Sequence, residues 1–321
     1  VSLLATVSGC HNASAPERNS MRSRALIALG ALSAGAAIIL TGCSAPTEES
    51  AADAPLTFAS TPLGEDPTAQ NPIVEFAALM EEESGRKVEI TDVPDYLAVV
   101  EAIRGGHVDF GFMSGFPSAL AVNTGEIDAL VAWPGSADPV STCLVLDGSP
   151  MQSLDDVTPD TVIAFADPAS SSGYFMPVYT LDQAGLKKDV DYKSMFSGGH
   201  DMSFIALQQG QVDVACTSTM LASMYGSAMF PFAEGETRSI ALSESMPVAT
   251  TIIVNSKMPQ DKRDLLLASV PKVFSEKNAE ALGPLYSSVG GVEPLLEPGS
   301  DIFKPFVRIA KIAGVDISDL G

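Results

Sequence analysis

Positive charge is scarce in this sequence: 18 Lys and Arg face 40 Asp and Glu, for a net charge of −22 at pH 7. So acidic a surface repels phosphate backbones, which excludes nucleic acid as a main partner. Histidine is scarcer still, with 3 residues, and the 4 cysteines show no C-x2-C spacing. Neither a multi-histidine metalloenzyme nor a zinc module is indicated, and no metal or cofactor is expected. No Gly-Lys-Ser/Thr phosphate loop and no Gly-x-Ser-x-Gly elbow occurs, which argues against nucleotide hydrolysis and serine-hydrolase chemistry. What is abundant is apolar: 46% of the residues are hydrophobic and 18% charged, a folded composition. The 321 residues suffice for two domains.

The N-terminal region reads as an address. Met21-Arg22-Ser23-Arg24 is basic, Ala25 to Leu40 is an uncharged stretch of 16 residues, and Leu40-Thr41-Gly42-Cys43 closes it. This is the layout of a secretory signal, too short for a membrane span. Its ending resembles the lipobox of bacterial lipoproteins, which implies lipidation at Cys43 and attachment to the outer face of the cell membrane. Residues 1–20 carry no pattern and are read as an overextended N-terminus, 21–42 as the signal, and 43–54 as a flexible tether. Cys143 and Cys216 lie in apolar, strand-like runs. They read as two buried free thiols, with a disulfide left open for an exported protein.

Strands and helices alternate after the tether. Leu56–Ala59, Val88–Ile90, Phe110–Met113, Thr142–Leu146, Val162–Phe165, Val212–Cys216, Ser239–Leu242 and Thr250–Val254 read as strands. Asn71–Ser84, with Ile73, Phe76, Ala77 and Met80 on one face, reads as a helix, as do Tyr96–Gly105, Tyr174–Ala184, Met202–Gln209 and Gln260–Val273. That order predicts an α/β fold with mostly parallel sheets flanked by helices.

An internal echo divides the chain. Tyr96 to Ser114 aligns without gaps on His200 to Ser218, at a spacing of 104 residues. In both copies a helix ends at glycine, a Gly-x-Val-Asp turn follows (Gly106 to Asp109, Gly210 to Asp213), and an apolar strand ends in serine. Two copies imply two similar lobes. Ligands of open α/β sheets sit where strands end and the next helices begin, so Tyr96 and His200, each at a helix start, are expected to face one cleft. His107, at the far end of its helix, reads as solvated.

An anion socket is expected at the run Asp167-Pro168-Ala169-Ser170-Ser171-Ser172-Gly173-Tyr174, which joins a strand to a helix. Unpaired N–H groups at the helix start, three hydroxyls and a close-approach glycine supply neutral donors for a phosphate-like group. Phe196-Ser197-Gly198-Gly199-His200-Asp201 is a second turn of the same character. Hydrogen bonds to a charged group contribute roughly 1.5–3 kcal/mol each, so four or five, offset by dehydration, reach about micromolar affinity.

Taken in order, Asp95-Tyr96 before a helix, Gly-x-Val-Asp, Asp167-Pro-Ala-Ser-Ser-Ser-Gly-Tyr174 and Ser197-Gly-Gly-His-Asp201 resemble the phosphate, phosphite and phosphonate-binding proteins of ABC transporters (PhnD-like). The resemblance runs from about Leu56 to Val254. It implies a two-lobed type II periplasmic-binding-protein fold closing on a hinge, with lobe one at 55–147 and 249–321, lobe two at 148–248, and crossings near Asp147-Gly148 and Met246-Pro247. It implies a ligand site of Tyr96, Ser170, Ser171, Ser172, Gly173, His200 and Asp201, no catalytic residues, and partnership with a permease and an ATPase. Family members that take aminoalkylphosphonates carry a glutamate twenty residues past the histidine, where this chain has Met220. An ammonium would go unpaired there, so the expected ligand lacks an amine: phosphite, phosphate or methylphosphonate. The alternatives are another small anion on the same fold, or an exported phosphorus-ester or phosphonate hydrolase.

Overall fold

The computed structural model describes residues 54–60, 72–289 and 291–315. The signal, the Cys43 lipobox, most of the tether and residues 1–20 lie outside them. The strands are β1 (Leu56–Ser60), β2 (Val88–Asp92), β3 (Phe110–Ser114), β4 (Ile127–Pro134), β5 (Ser141–Leu146), β6 (Val162–Phe165), β7 (Lys193–Phe196), β8 (Val214–Ser218), β9 (Thr237–Leu242), β10 (Val248–Asn255) and β11 (Leu295–Leu296). The helices are α1 (Pro72–Ser84), α2 (Tyr96–Arg104), α3 (Gly115–Val122), α4 (Met176–Gln183), α5 (His200–Gln208), α6 (Gln260–Val273), α7 (Ala279–Leu282), α8 (Pro284–Val289) and α9 (Phe306–Ala313).

Two sheets form, in the orders β11-β4-β10-β3-β1-β2 and β7-β6-β8-β5-β9. Each carries a parallel trio, β2-β1-β3 in one and β7-β6-β8 in the other, fed by helical crossovers. The expectation of mostly parallel sheets holds for those trios only. The strands through which the chain passes between the sheets, β4 and β10 in one and β5 and β9 in the other, pair antiparallel, as does edge strand β11.

Sheet membership also moves one crossing. Ser141–Leu146 pairs with β8 and β9, so the chain changes sheets between Pro134 and Ser141, ahead of Asp147-Gly148. The return at Met246-Pro247 lies alongside, where Gly135 N–H donates to the Pro247 carbonyl at 3.1 Å. An added β-carbon on Gly135 would overlap the Met246 carbonyl oxygen, so the two strands touch only because this residue lacks a side chain.

The first sheet buries Phe58, Phe110 and Trp133 in one core with Phe76 of α1 and Leu266 and Val270 of α6. Ile73, Phe76, Ala77 and Met80 are the buried face of α1, as its spacing predicts. Trp133 packs on Phe274 with centroids 4.7 Å apart, inside this core. A second cluster spans both sheets: Phe116 of α3 stacks on Phe175 at 3.4 Å, and Phe306 and Ile309 of α9 join it. Arg308 of α9 lies 5.4 Å over the Tyr179 ring of α4 and donates to Gln183 at 3.3 Å. The C-terminal helix thus fastens onto the second lobe, although its chain neighbours belong to the first.

Cys143 and Cys216 form a disulfide. They are register partners of antiparallel β5 and β8, and both are buried. The pairing of the strands decides between the free-thiol and disulfide readings, since it brings the two α-carbons to 4.0 Å.

Candidate functional site

The echo is real at atomic detail. In lobe one Asp109 N–H donates to Thr57 O at 2.9 Å while its carboxylate accepts Thr57 N–H at 2.9 Å. In lobe two Asp213 N–H donates to Val162 O at 2.9 Å and its carboxylate accepts Val162 N–H at 2.8 Å. Each Gly-x-Val-Asp turn therefore docks its strand onto the neighbouring parallel strand by the same reciprocal pair. Gly106 and Gly210, at φ of 69° and 68°, supply the left-handed residue that both turns require. With the strands docked alike, α2 and α5 begin at equivalent ends of β3 and β8.

The serine run forms a single π-type turn, Ser171–Phe175, ahead of α4. The expected helix start at Tyr174 is thus delayed to Met176. Ser170 caps the turn, its Oγ accepting Gly173 N–H at 3.0 Å. A π turn widens the backbone, a feature that recurs at functional sites.

His200 opens α5 beside it. Its Nε2 lies 3.4 Å from Ser170 Oγ and its Nδ1 lies 2.7 Å from Thr217 Oγ1. An added β-carbon on Gly173 would stand 2.9 Å from His200 Cε1 and 2.5 Å from the Ala166 β-carbon, so only glycine lets the ring settle on the turn. Packing strips water from the imidazole and pulls its pKa down to about 4, against a small opposing pull from Asp201. At neutral pH His200 is uncharged, with one N–H to give.

The three serines divide their work. Ser170 Oγ faces the imidazole. Ser171 Oγ reaches across to lobe one, accepting Phe116 N–H at 2.9 Å and meeting Ser114 Oγ at 2.9 Å. It thereby joins the start of α3 to the turn. Ser172 is the least buried of the three, and its carbonyl accepts the Ser141 hydroxyl at 2.6 Å. Tyr96 opens α2 behind Asp95, whose carboxylate accepts Ala98 N–H at 2.8 Å. Tyr96 and Ala169, the residue before Ser170, border one cavity of about 130 Å³. Asp167 accepts Ala169 N–H at 2.7 Å, and its pKa is raised by burial and by the Asp95 carboxylate, countered by that hydrogen bond. Two carboxylates thus neighbour the turn, and their charge opposes an anion that the short-range donors must offset.

Asp201 is partly exposed, and a β-carbon added to Gly199 would stand 2.6 Å from its Oδ1, so its carboxylate folds back over the turn before α5. Among the described residues it makes no hydrogen bond to the serine turn. Met220 follows β8 and packs against the cluster of Phe204, Leu221 and Phe230. His107 is exposed, as expected. Two residues join the site without having been singled out, Thr217 and Ser114. Ser114 ends the echoed strand, a position the repeat marks. Thr217 aligns on Met113, so the repeat hides it.

The family described as ABC transporter, phosphonate, periplasmic substrate-binding protein matches residues 58–285 of the chain. A phosphonates-binding periplasmic protein of Escherichia coli (strain K12) is 30% identical over 146 residues, covering 44% of this chain and 43% of its own. The phosphate-import protein PhnD of Mycolicibacterium smegmatis is 27% identical over 211 residues, covering 60% of this chain and 65% of its own. The chain thus spans less than two thirds of the length of these curated relatives. Among solved structures, a binding protein component of an ABC phosphonate transporter from Pseudomonas aeruginosa superposes with a TM-score of 0.67 at 18% identity, covering 82% of this chain and 87% of that one. PhnD1 of Prochlorococcus marinus, in complex with methylphosphonate, gives 0.64 at 15% identity, covering 80% and 97%. These superpositions show the two-lobed periplasmic-binding-protein fold. The chain belongs to the phosphonate-binding family of ABC transporter periplasmic substrate-binding proteins.

Proposed function

We propose that this protein is the capture component of an ABC importer and takes a small phosphorus oxyanion without an amine: phosphite, phosphate or methylphosphonate. One observation carries the reading: an uncharged imidazole and a serine hydroxyl converge 3.4 Å apart on a π turn that only glycine permits. Such donors bind an anion at short range in a protein whose net charge of −22 repels it at long range. Tyr96 and Ser172 complete the socket in this reading, with Asp201 and Met220 at its margin. Ser171 acts on the lobe junction as much as on the ligand. Hinge closure brings the two sides together. The family to which the chain belongs is described as substrate-binding, which favours capture over hydrolysis. Permease and ATPase subunits are the partners this role requires, and Cys43 is the proposed lipid anchor that would keep the protein beside them on the outer face of the membrane.

The test is calorimetry with phosphite, methylphosphonate, phosphate, sulfate, an alkanesulfonate and 2-aminoethylphosphonate. Binding of one or more of the first three at about micromolar affinity is expected, with Gly173→Ala weakening it at least about 100-fold as the added methyl displaces His200. The aminophosphonate is expected to bind weakly, because Met220 leaves its ammonium unpaired. Tight sulfonate binding with no response to phosphorus anions would overturn the ligand class. Turnover of a phosphonate or phosphate ester would overturn the capture role.

A further inference from the structure

The imidazole of His200 has a partner on each ring nitrogen, and those partners differ in how they can be satisfied. Ser170 Oγ, on the Nε2 side, already accepts Gly173 N–H at 3.0 Å and stands 3.4 Å from the ring, a loose contact. Thr217 Oγ1, on the Nδ1 side, is at 2.7 Å, a tight one. Thr217 is fully buried in the middle of the second sheet, and among the described residues His200 Nδ1 is the hydrogen-bond partner of its hydroxyl.

A neutral imidazole offers one N–H and one bare nitrogen. Were Nδ1 protonated, Thr217 would accept, and its own hydroxyl proton would be left buried with nothing to receive it. That is the expensive way to break a hydrogen-bond account, whereas an acceptor with a spare lone pair is cheap. With Nδ1 bare, the threonine proton is satisfied and the ring proton goes to Nε2, on the serine-turn side.

We infer that Thr217 is a positioning residue: its buried hydroxyl donates to His200 Nδ1, fixes the Nε2–H tautomer, and so turns the imidazole into a hydrogen-bond donor aimed at the anion beside Ser170. This rests on the capture reading for its purpose, though the tautomer itself does not depend on any ligand. The opposite tautomer would present a lone pair to an oxyanion and repel it. The backbone supports the arrangement, because Cys216, one residue earlier on β8, is bonded through its sulfur to Cys143 on β5. Thr217 is thereby held in register against the start of α5. The corresponding residue of lobe one, Met113, has no hydroxyl, so this device belongs to one lobe only.

The experiment is ¹⁵N-histidine NMR on the full chain without ligand, the His200 signal assigned by its absence in His200→Gln, followed by calorimetric titration with phosphite. Wild type is expected to show Nε2–H. Thr217→Val, which keeps shape and removes the proton, should give mixed or Nδ1–H character and weaken phosphite on the order of 10- to 100-fold. Thr217→Ser should restore both readouts. An Nδ1–H signature in wild type overturns the inference with no variant needed, as does a Thr217→Val protein with unchanged tautomer and affinity. An Nε2–H signature that depends on Thr217, in a protein that binds no phosphorus oxyanion, upholds the tautomer assignment and overturns the capture reading instead.

Discussion

The two echoed units share a scaffold and differ at its business ends. Both dock their strand through a reciprocal Asp pair, Asp109 with Thr57 and Asp213 with Val162, and both turn on a left-handed glycine. At the helix start they part. Asp95 caps α2 with its carboxylate, whereas Gly199 precedes α5 and no side chain caps it. One helix start commits a carboxylate to capping; the other has no side-chain cap and places an imidazole there. The lobe with the open end also carries the disulfide. The comparison teaches that the repeated part is structural and the unrepeated part carries the chemistry.

The largest way to break that contrast is to remove the staple. The bonded cysteines are 73 residues apart, and a cross-link of that span stabilises by about 4 kcal/mol if it acts on the unfolded chain. In urea unfolding, the Cys143→Ala/Cys216→Ala double variant is expected to lose about that much, with phosphite affinity falling as β8 loosens under Thr217. An unchanged midpoint would mean that lobe two does not depend on its cross-link.

How much of this could be read from the chain follows from the same division. Repeated features were legible because local sequence dictates them. The apolar spacing of α1 puts Ile73, Phe76, Ala77 and Met80 inward, and the Gly-x-Val-Asp turns appear as themselves. The serine run was legible as a helix start, although its π geometry delays regular helix to Met176. What needed the third dimension was pairing between distant strands. Register across β5 and β8 joins Cys143 to Cys216 and carries Ser141–Leu146 into the second sheet. Turn signals at Pro134-Gly135 and at Asp147-Gly148 look alike in one dimension. Thr217 stayed hidden for the reason that it matters: it departs from the repeat. The division of labour among Ser170, Ser171 and Ser172 was likewise illegible, since three identical side chains are told apart only by what faces them.

A second prediction sharpens the contrast through acid. Burial lowers the His200 pKa to about 4 in the folded protein, below the ordinary 6.5 of the unfolded chain. Between those values the unfolded state binds the extra proton, so stability is fully present above pH 6.5 and is lost as pH falls toward 4. The loss attributable to this residue is about 3 kcal/mol across that window. It appears as the difference between wild-type and His200→Gln urea stabilities measured at several pH values. Parallel curves for the two proteins would show that the imidazole is solvated in the folded state, and lobe two would lose its distinguishing feature.

The smallest effect tests the shared scaffold itself. Asp109 and Asp213 make the same backbone pair, yet Asp109 also accepts from Thr57 Oγ1 at 3.2 Å and from Lys262 Nζ at 2.5 Å, in a partly buried setting. Removing it strands a backbone N–H, a hydroxyl and a half-covered ammonium together, at about 2 kcal/mol. Removing Asp213 exposes only the Val162 N–H at the protein surface, at about 1 kcal/mol. Chemical unfolding of Asp109→Ala and Asp213→Ala should therefore rank them in that order, with phosphite affinity little changed in either, because both turns lie at the strand ends opposite the serine turn and His200. Equal losses would make the lysine pair idle. A large loss of affinity in Asp213→Ala would show that the turn sets the angle of β8, and with it the position of Thr217, so that scaffold and site could no longer be treated as separable.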